Sequence, residues 1–514
     1  MRLFTLFLLL LTFNYTYSQD SLVYYQDLTF NSEFEQNVFE EYFIQHNADY
    51  LALFMALSKE VDQKKFEATK SIFEAKYNRL NTEKFNNKRA DKKVKIVYED
   101  IHKEFFDQYR ALNEFSEIFE TGRYNCVSAS ALYGIFFEKM NIPYIIKEKP
   151  THVYLLAYPK TDRIVVESTD PAGGYIKYNS YYKQQFIDRL AKAKLISSLE
   201  INSESTEALF DKYYFFDEDI TLPELVGVQY MNDALSRIEN KDIEGAFHQM
   251  EKTRMFYKTD KIATLMLALC SEVLANQKYE GLKYIDYLIK IARFKYYGID
   301  NNTIIGEFTR VIQTQLIEKG DAQNLKLFYN KLDSGLEDQS LKIELGYLYN
   351  YEQGRALYNQ GKYPESLHYF EAAYSLKPSN LDINNVLINA LSRSMQTLSN
   401  LEVLKKLENY AESYPALLDN NLFKSFLTNS YLIQFGMAFD LKNEKEGNKY
   451  RSLFEENYKP ELNLDKNNLG RSYSLAAVYY FRKGYTTKAK SILNAGLKID
   501  PDNYQLLVRK NMIR

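Results

Sequence analysis

The sequence predicts an α+β N-terminal domain followed by an all-α helical-repeat solenoid. Three observations carry that expectation. Residues 121–176 contain an apolar helical run and then three short β-rich runs. From about residue 225 onward, apolar residues recur at helical spacing almost to the end. Within that second half, two stretches share one internal pattern of Gly, small and aromatic residues and Pro. At roughly 100–200 residues per domain, 514 residues make two or three units, with a repeat array counting as one.

Residues 1–18 read as a signal peptide. Arg2 supplies the positive start, Leu3 to Leu11 are apolar except for Thr5, and the small residues Thr16 and Ser18 mark cleavage near Ser18, before Gln19. The run is shorter than the roughly 20 residues that span a bilayer. The expectation is a secreted or periplasmic protein with no membrane span after signal removal. Two cysteines, Cys126 and Cys270, are too few for a disulfide framework. A net charge of −3 without a basic block argues against a nucleic-acid partner. The 45 Tyr and 33 Phe beside no Trp reflect base composition rather than chemistry.

Residues 19–120 form a mostly helical region. Phe34, Val38, Phe39 and Tyr42 fall on one helical face, as do Ile101, Phe105, Tyr109 and Leu112. The Lys- and Asn-rich stretch from Asn81 to Lys95 between them reads as a solvated loop and helix start. Residues 121–224 then form the core of the first domain and a connecting segment. Thr121-Gly122 ends one helix and Cys126 opens the next, which runs through Leu132, Ile135 and Phe136 to Asn141-Ile142-Pro143. Strand-like runs follow at Tyr144–Glu148, Thr151–Tyr158 and Arg163–Thr169, and Asp170-Pro171 closes the last.

Residues 225–514 are the repeat region. One clear unit reads Gly361, Phe370, Ala373 and Pro378; another reads Gly484, Ala489, Leu493, Gly496 and Pro501. Seventeen residues separate Gly from Pro in each. A helical hairpin explains the pattern: the Gly ends one helix, small residues let the second pack closely, and the Pro stops it. This resembles tetratricopeptide repeats. The two units lie 123 residues apart, which is no multiple of the usual ~34, so the intervening hairpins are longer or irregular. Weaker copies surround Asp242–Met250 and Lys278–Ile289. Cys270, within Leu267-Ala268-Leu269-Cys270, reads as a small core residue.

The residues that could do chemistry are Cys126, His152 and an acid, Glu167 or Asp170. A thiolate nucleophile is favoured at a helix N-terminus, where Cys126 stands. An imidazole must pair with it and later protonate the leaving group, which His152 on the second strand-like run can do. A third polar group must orient the imidazole, and Glu167 and Asp170 stand at the end of the next run. Glu167 is the preferred acid, because alternation along a strand would turn Asp170 to the other face. The backbone N–H of Cys126 and a donor from Tyr124 or Asn125 would complete an oxyanion hole.

This order resembles the transglutaminase-like (papain-like cysteine) superfamily over residues 120–176. Met140-Asn141-Ile142-Pro143 stands for the family's Leu-Gly-Ile-Pro, and Glu167-Ser168-Thr169 for its Asp-Pro-Thr. Tyr154 replaces the Trp usual two residues after the His. The resemblance implies a papain-like fold and acyl transfer on a peptide or amide, ending in hydrolysis, deamidation or cross-linking, with a protein or peptide as substrate or partner. The alternative is a non-catalytic protein–protein interaction scaffold in which this core is degenerate. The five His, at 46, 102, 152, 248 and 368, form no metal motif, and no Gly-rich phosphate loop occurs, so neither metal nor cofactor is expected.

Overall fold

The computed structural model describes residues 22–169, 174–215, 217–275 and 277–513. The leader read over 1–18, with its cleavage point, and Asp170 lie outside the described residues. The chain divides into two compact units. The first runs to Gln277 and adds Lys290–Ile299; the second comprises Lys278–Ile289 and the residues from Asp300.

In the first unit, helices at Glu33–Phe43, Tyr50–Met55, Gln63–Leu80 and Ala90–Phe105 precede the sheet. The first three are each started by a side-chain cap, from Ser32, Asp49 and Asp62, which accepts from a backbone N–H three residues on. The fourth ends at Phe105, so Tyr109 and Leu112 do not continue its face as expected. Backbone hydrogen bonds from Asp107 and Gln108 to the Gly122 carbonyl divert the chain there into extended pairing. Strand β1 (Gln108–Tyr109) then runs parallel to β2 (Arg123–Tyr124), with Tyr109 opposite Tyr124. Gly122, at φ +70°, makes the turn before β2, in the left-handed region where glycine carries no Cβ penalty.

The helix Cys126–Lys139 is buried from Val127 to Phe137, as its all-round apolar sequence requires. It lies against a five-stranded sheet formed by β3 (Tyr144–Lys149), β4 (His152–Ala157), β5 (Ile164–Val166), β6 (Tyr175–Ile176) and β7 (Glu218–Ile220). The spatial order is β6-β5-β4-β3-β7 and every pairing is antiparallel. Ser130, inside the helix, donates to the Val153 carbonyl of β4 at 3.3 Å. The opposite face of the sheet carries Tyr154, Leu156 and Val165 against Tyr178 and Phe215. These last belong to a segment holding three helices, Ser180–Lys192, Ser198–Ser203 and Thr206–Tyr214. They stand where the sequence suggested only a connecting segment.

The third strand is shorter than the expected Arg163–Thr169. Arg163 sits in a turn with φ +47°, and beyond Val166 the Glu167 N–H extends the pairing toward β6 only by its bond to the Gly174 carbonyl at 2.6 Å. The helices Leu222–Glu239, Ile243–Phe256 and Asp260–Ala275 complete this unit. A charge pair is closed inside it. Lys252 and Glu35 are both fully buried, with Nζ 2.7 Å from the carboxylate, and the Tyr230 hydroxyl donates to the same oxygen at 2.9 Å.

The second unit is helical throughout its described residues. Its clearest hairpins are Gln339–Asn359 with Tyr363–Leu376, Asn421–Asp440 with Glu444–Asn457, and Lys466–Arg482 with Thr486–Ile499. Gly361 and Gly484 adopt φ +76° and +83° at two of the hairpin turns. Gly354 packs against the Phe370 ring and Gly496 against Tyr473, leaving no room for a Cβ. One continuous apolar cluster runs from Leu367 to Ile513. Each hairpin buries its apolar face against its neighbours, the arrangement expected of a repeat array.

Candidate active site

Cys126 is the first residue of its helix. Asn125, the N-cap, accepts from the Ser128 N–H at 2.8 Å, and the Ser128 hydroxyl accepts from the Asn125 N–H at 2.9 Å. This reciprocal cap fixes the first turn and leaves the Cys126 sulfur partly exposed. The helix N-terminus directs unpaired N–H groups and the positive end of the peptide dipoles toward it. The Cys126 N–H itself takes no partner among the described residues.

His152 opens β4, and its ring lies close enough to Cys126 for the thiol to act on its titration. Its Nε2 lies 2.8 Å from Glu167 Oε2. The β4–β5 register accounts for the meeting. Leu155 pairs with Val166, so the next step places Glu167 opposite Tyr154 and diagonal to His152 on the same face. Both side chains are about one-fifth exposed, so the pair is shielded yet reachable.

Cys126 and then the Glu167 carboxylate outweigh the opposing effect of burial and raise the His152 pKa to about 9. Burial works to raise the Glu167 pKa. The bonds from His152 and from the Thr169 hydroxyl and N–H outweigh it and hold the carboxyl below its ordinary value. Thr169 makes those bonds to Oε1 at 2.7 and 3.0 Å, leaving Oε2 for the imidazole. The Tyr98 hydroxyl donates to the Glu167 carbonyl at 3.3 Å. Gly174 passes so close to both groups that any Cβ would overlap the Tyr98 oxygen, which is a steric reason for glycine there.

Tyr109 was not among the residues read as chemical. It lies near Cys126, whose charge acts on its hydroxyl, and its ring meets Tyr124 edge-on at 5.8 Å. Burial and then the facing Cys126 charge raise its pKa, so it remains a protonated donor at neutral pH. Asn125, by contrast, has no donor to spare. Its Nδ2 is given to the carbonyls of Ala111 and Asn113, at 3.1 and 3.4 Å, and its N–H to Ser128. Tyr124 is buried beneath the stacked ring of Phe106. Pairing of β1 with β2 thus brings Tyr109 to the place where a donor from Tyr124 or Asn125 was expected. An isolated tyrosine carries no local signal of this; only the pairing does.

Tyr154 occupies the position of the expected Trp. Its ring lies nearly parallel to His152 at 6.2 Å, and its hydroxyl donates to Asp217 at 2.9 Å. Cys270 is fully buried in its own helix, and burial pushes its pKa up. Among the described residues, no group of three or more His, Cys, Asp or Glu is placed to hold a metal ion, and no helix is long and apolar enough to cross a membrane.

Tetratricopeptide repeat family models match residues 347–380 and 470–503. These stretches hold the two Gly-to-Pro units and the hairpins around Gly361 and Gly484. Repeats of this kind offer extended surfaces to other proteins, so the repeat half supports a role in protein–protein interaction. No curated protein matches the chain.

Proposed function

We propose that the chain joins a protein-binding repeat array to a transglutaminase-like acyl-transfer site, in which Cys126 is the nucleophile, His152 the acid and base, and Glu167 the group that orients His152. The observation that carries this is the His152–Glu167 hydrogen bond beside Cys126, which stands at a helix N-terminus. The Cys126 thiolate attacks the carbonyl carbon of a peptide or side-chain amide, forming a C–S bond and an oxyanion. In this reading the Cys126 N–H and the Tyr109 hydroxyl stabilise that oxyanion. The C–N bond breaks as His152 gives its proton to the leaving nitrogen, and a thioester remains. Water or an amine then attacks the thioester and gives a proton to His152, and the sulfur departs as thiolate. Water yields the acid; an amine yields a new amide. The protein acts after export, and its repeats hold the protein that carries the amide.

The second reading, a non-catalytic interaction scaffold, is favoured by the family matches falling on the repeats. Incubation with glutamine-rich denatured polypeptides distinguishes them, with ammonia release, chain cleavage and amine incorporation followed together. The acyl-transfer reading expects one of these activities, absent from Cys126→Ala. It also expects the activity to fall as pH rises through about 9, where His152 loses the proton it must donate. No difference between the wild type and Cys126→Ala on any channel would leave the scaffold reading.

A further inference from the structure

In the second unit, the helices Lys466–Arg482 and Tyr504–Met512 and the end of Asn421–Asp440 border a cavity of about 510 Å³. Ligand pockets ordinarily span roughly 300–1,000 Å³. Two helix faces make its walls. Arg471, Leu475, Val478 and Arg482 recur at steps of three or four along one helix, and Tyr504, Val508 and Met512 at steps of four along the other. The middle of this lining is apolar and open. Leu475, Val478 and Val508 are half-buried, and Met512 and Tyr504 are exposed.

Its charge is one-sided. Arg471, Arg482 and Arg509 line the wall against a single acid, Asp440. Among the described residues these three arginines pair with no carboxylate, and Asp440 pairs with no cation. Elsewhere in the same unit Arg310, Arg355 and Arg451 each pair with a glutamate of their own helix. The three guanidinium groups therefore reach the cavity with their charge uncompensated, beside apolar surface that is itself uncovered. Guanidinium pairs best with carboxylate, through two parallel hydrogen bonds. Eleven residues separate Arg471 from Arg482, which at ~1.5 Å per residue sets them about 16 Å apart along the helix. An extended chain covers that distance in about five residues.

We infer that this cavity docks an acidic segment of a protein partner, extended in form, with two carboxylates about five residues apart and apolar side chains between them. The carboxylates meet Arg471 and Arg482, and the apolar side chains cover Leu475, Val478 and Val508. Both halves of the lining are needed for that match. A nucleic acid would satisfy the arginines alone: it gains from stacked rings, and Tyr504 is the only aromatic residue in the lining. The inference rests on the protein-binding reading of the repeats and not on acyl transfer at Cys126, which lies in the other unit.

The test is calorimetric titration of the full chain with a capped hexapeptide that carries glutamate at both ends and leucine and serine alternating between them. One comparison peptide has glutamine for glutamate, and another has serine for leucine. The expected result is saturable one-to-one binding of the first peptide, weakened by salt, and much weaker binding of the other two. Arg471→Gln and Arg482→Gln are each expected to weaken it about fivefold, as for an ion pair open to solvent, and about 25-fold together. Both side chains are exposed, so neither change threatens the fold. Arg393→Gln, an exposed arginine outside the cavity, is expected to bind as the wild type does. So is Cys126→Ala, which keeps this result separate from the fate of the acyl-transfer reading. Absence of saturable binding up to about 1 mM peptide overturns the inference. So does binding that the double arginine variant leaves unchanged, an equal loss in Arg393→Gln, loss in Cys126→Ala, or equal binding of either comparison peptide. Tighter binding of a single-stranded oligonucleotide of the same charge also overturns it, in favour of a nucleic-acid site.

Discussion

Glu167→Gln is expected to reduce turnover on the order of 100-fold or more while leaving the fold in place, the scale associated with losing a positioned acid–base partner. The carboxylate has two separate tasks. Oε1 is saturated by the Thr169 hydroxyl and N–H, and Oε2 takes His152 Nε2. A glutamine cannot accept on both sides: its NH₂ group would oppose either the Thr169 donors or the imidazole N–H. The substitution also removes a negative charge that helps keep His152 protonated. Proton NMR of the His152 ring should therefore show a wild-type titration near 9 that moves down in Glu167→Gln, while Cys126, the larger cause of the rise, remains in place. If turnover and the His152 titration are both unchanged, Glu167 is not the orienting acid.

Lys252→Ala is expected to be the most damaging single change to stability, at about 3–5 kcal/mol, because it leaves the fully buried Glu35 without its counter-charge. Burial lowers the Lys252 pKa and Glu35 opposes that effect, so the two charges are held by one another rather than by solvent. The rings of Phe30 and Tyr230 stand 5.7 and 5.5 Å from the Lys252 ammonium and close the pocket around the pair. Replacing both partners, as Glu35→Leu with Lys252→Met, should recover most of the loss, since two apolar side chains of similar size leave no orphaned charge. Urea unfolding of the wild type and the two variants measures this directly. A Lys252→Ala loss below about 1 kcal/mol, the scale of an exposed ion pair, would mean that solvent reaches Glu35.

The parts of the fold legible in the sequence are those whose signal is local. The Cys126 helix declares itself by a mostly apolar run, and the two clear hairpins by glycines that must turn and prolines that must stop. Glu167 could be preferred over Asp170 from its position in the resembled motif and from strand alternation, and the β4–β5 register places it diagonal to His152. Where partners lie far apart in sequence, local pattern gave no guide. Strand β7 is three residues long, and Glu218 and Asp219 are exposed, so it shows no apolar alternation; only its pairing with β3 makes it a strand. Tyr109 matched a helical face by spacing, but hydrogen bonds to Gly122, fifteen residues beyond Asp107, override that pattern. The helices between Ser180 and Tyr214 are short and polar, and only one residue of the first, Ile187, is buried. Their periodicity is correspondingly faint.

The central claim is that Cys126 is a nucleophile activated by His152, and its most direct test is the rate of iodoacetamide alkylation of Cys126 against pH. The folded chain should be used in a Cys270→Ala background, with and without His152→Ala. Cys270 is fully buried, so its removal clears the assay without touching the site. The account predicts fast alkylation of Cys126 at neutral pH and a loss on the order of 100-fold when His152 is removed, because the thiolate then has no imidazolium to pair with. A folded chain in which Cys126 is unreactive, or reacts equally well without His152, would contradict it.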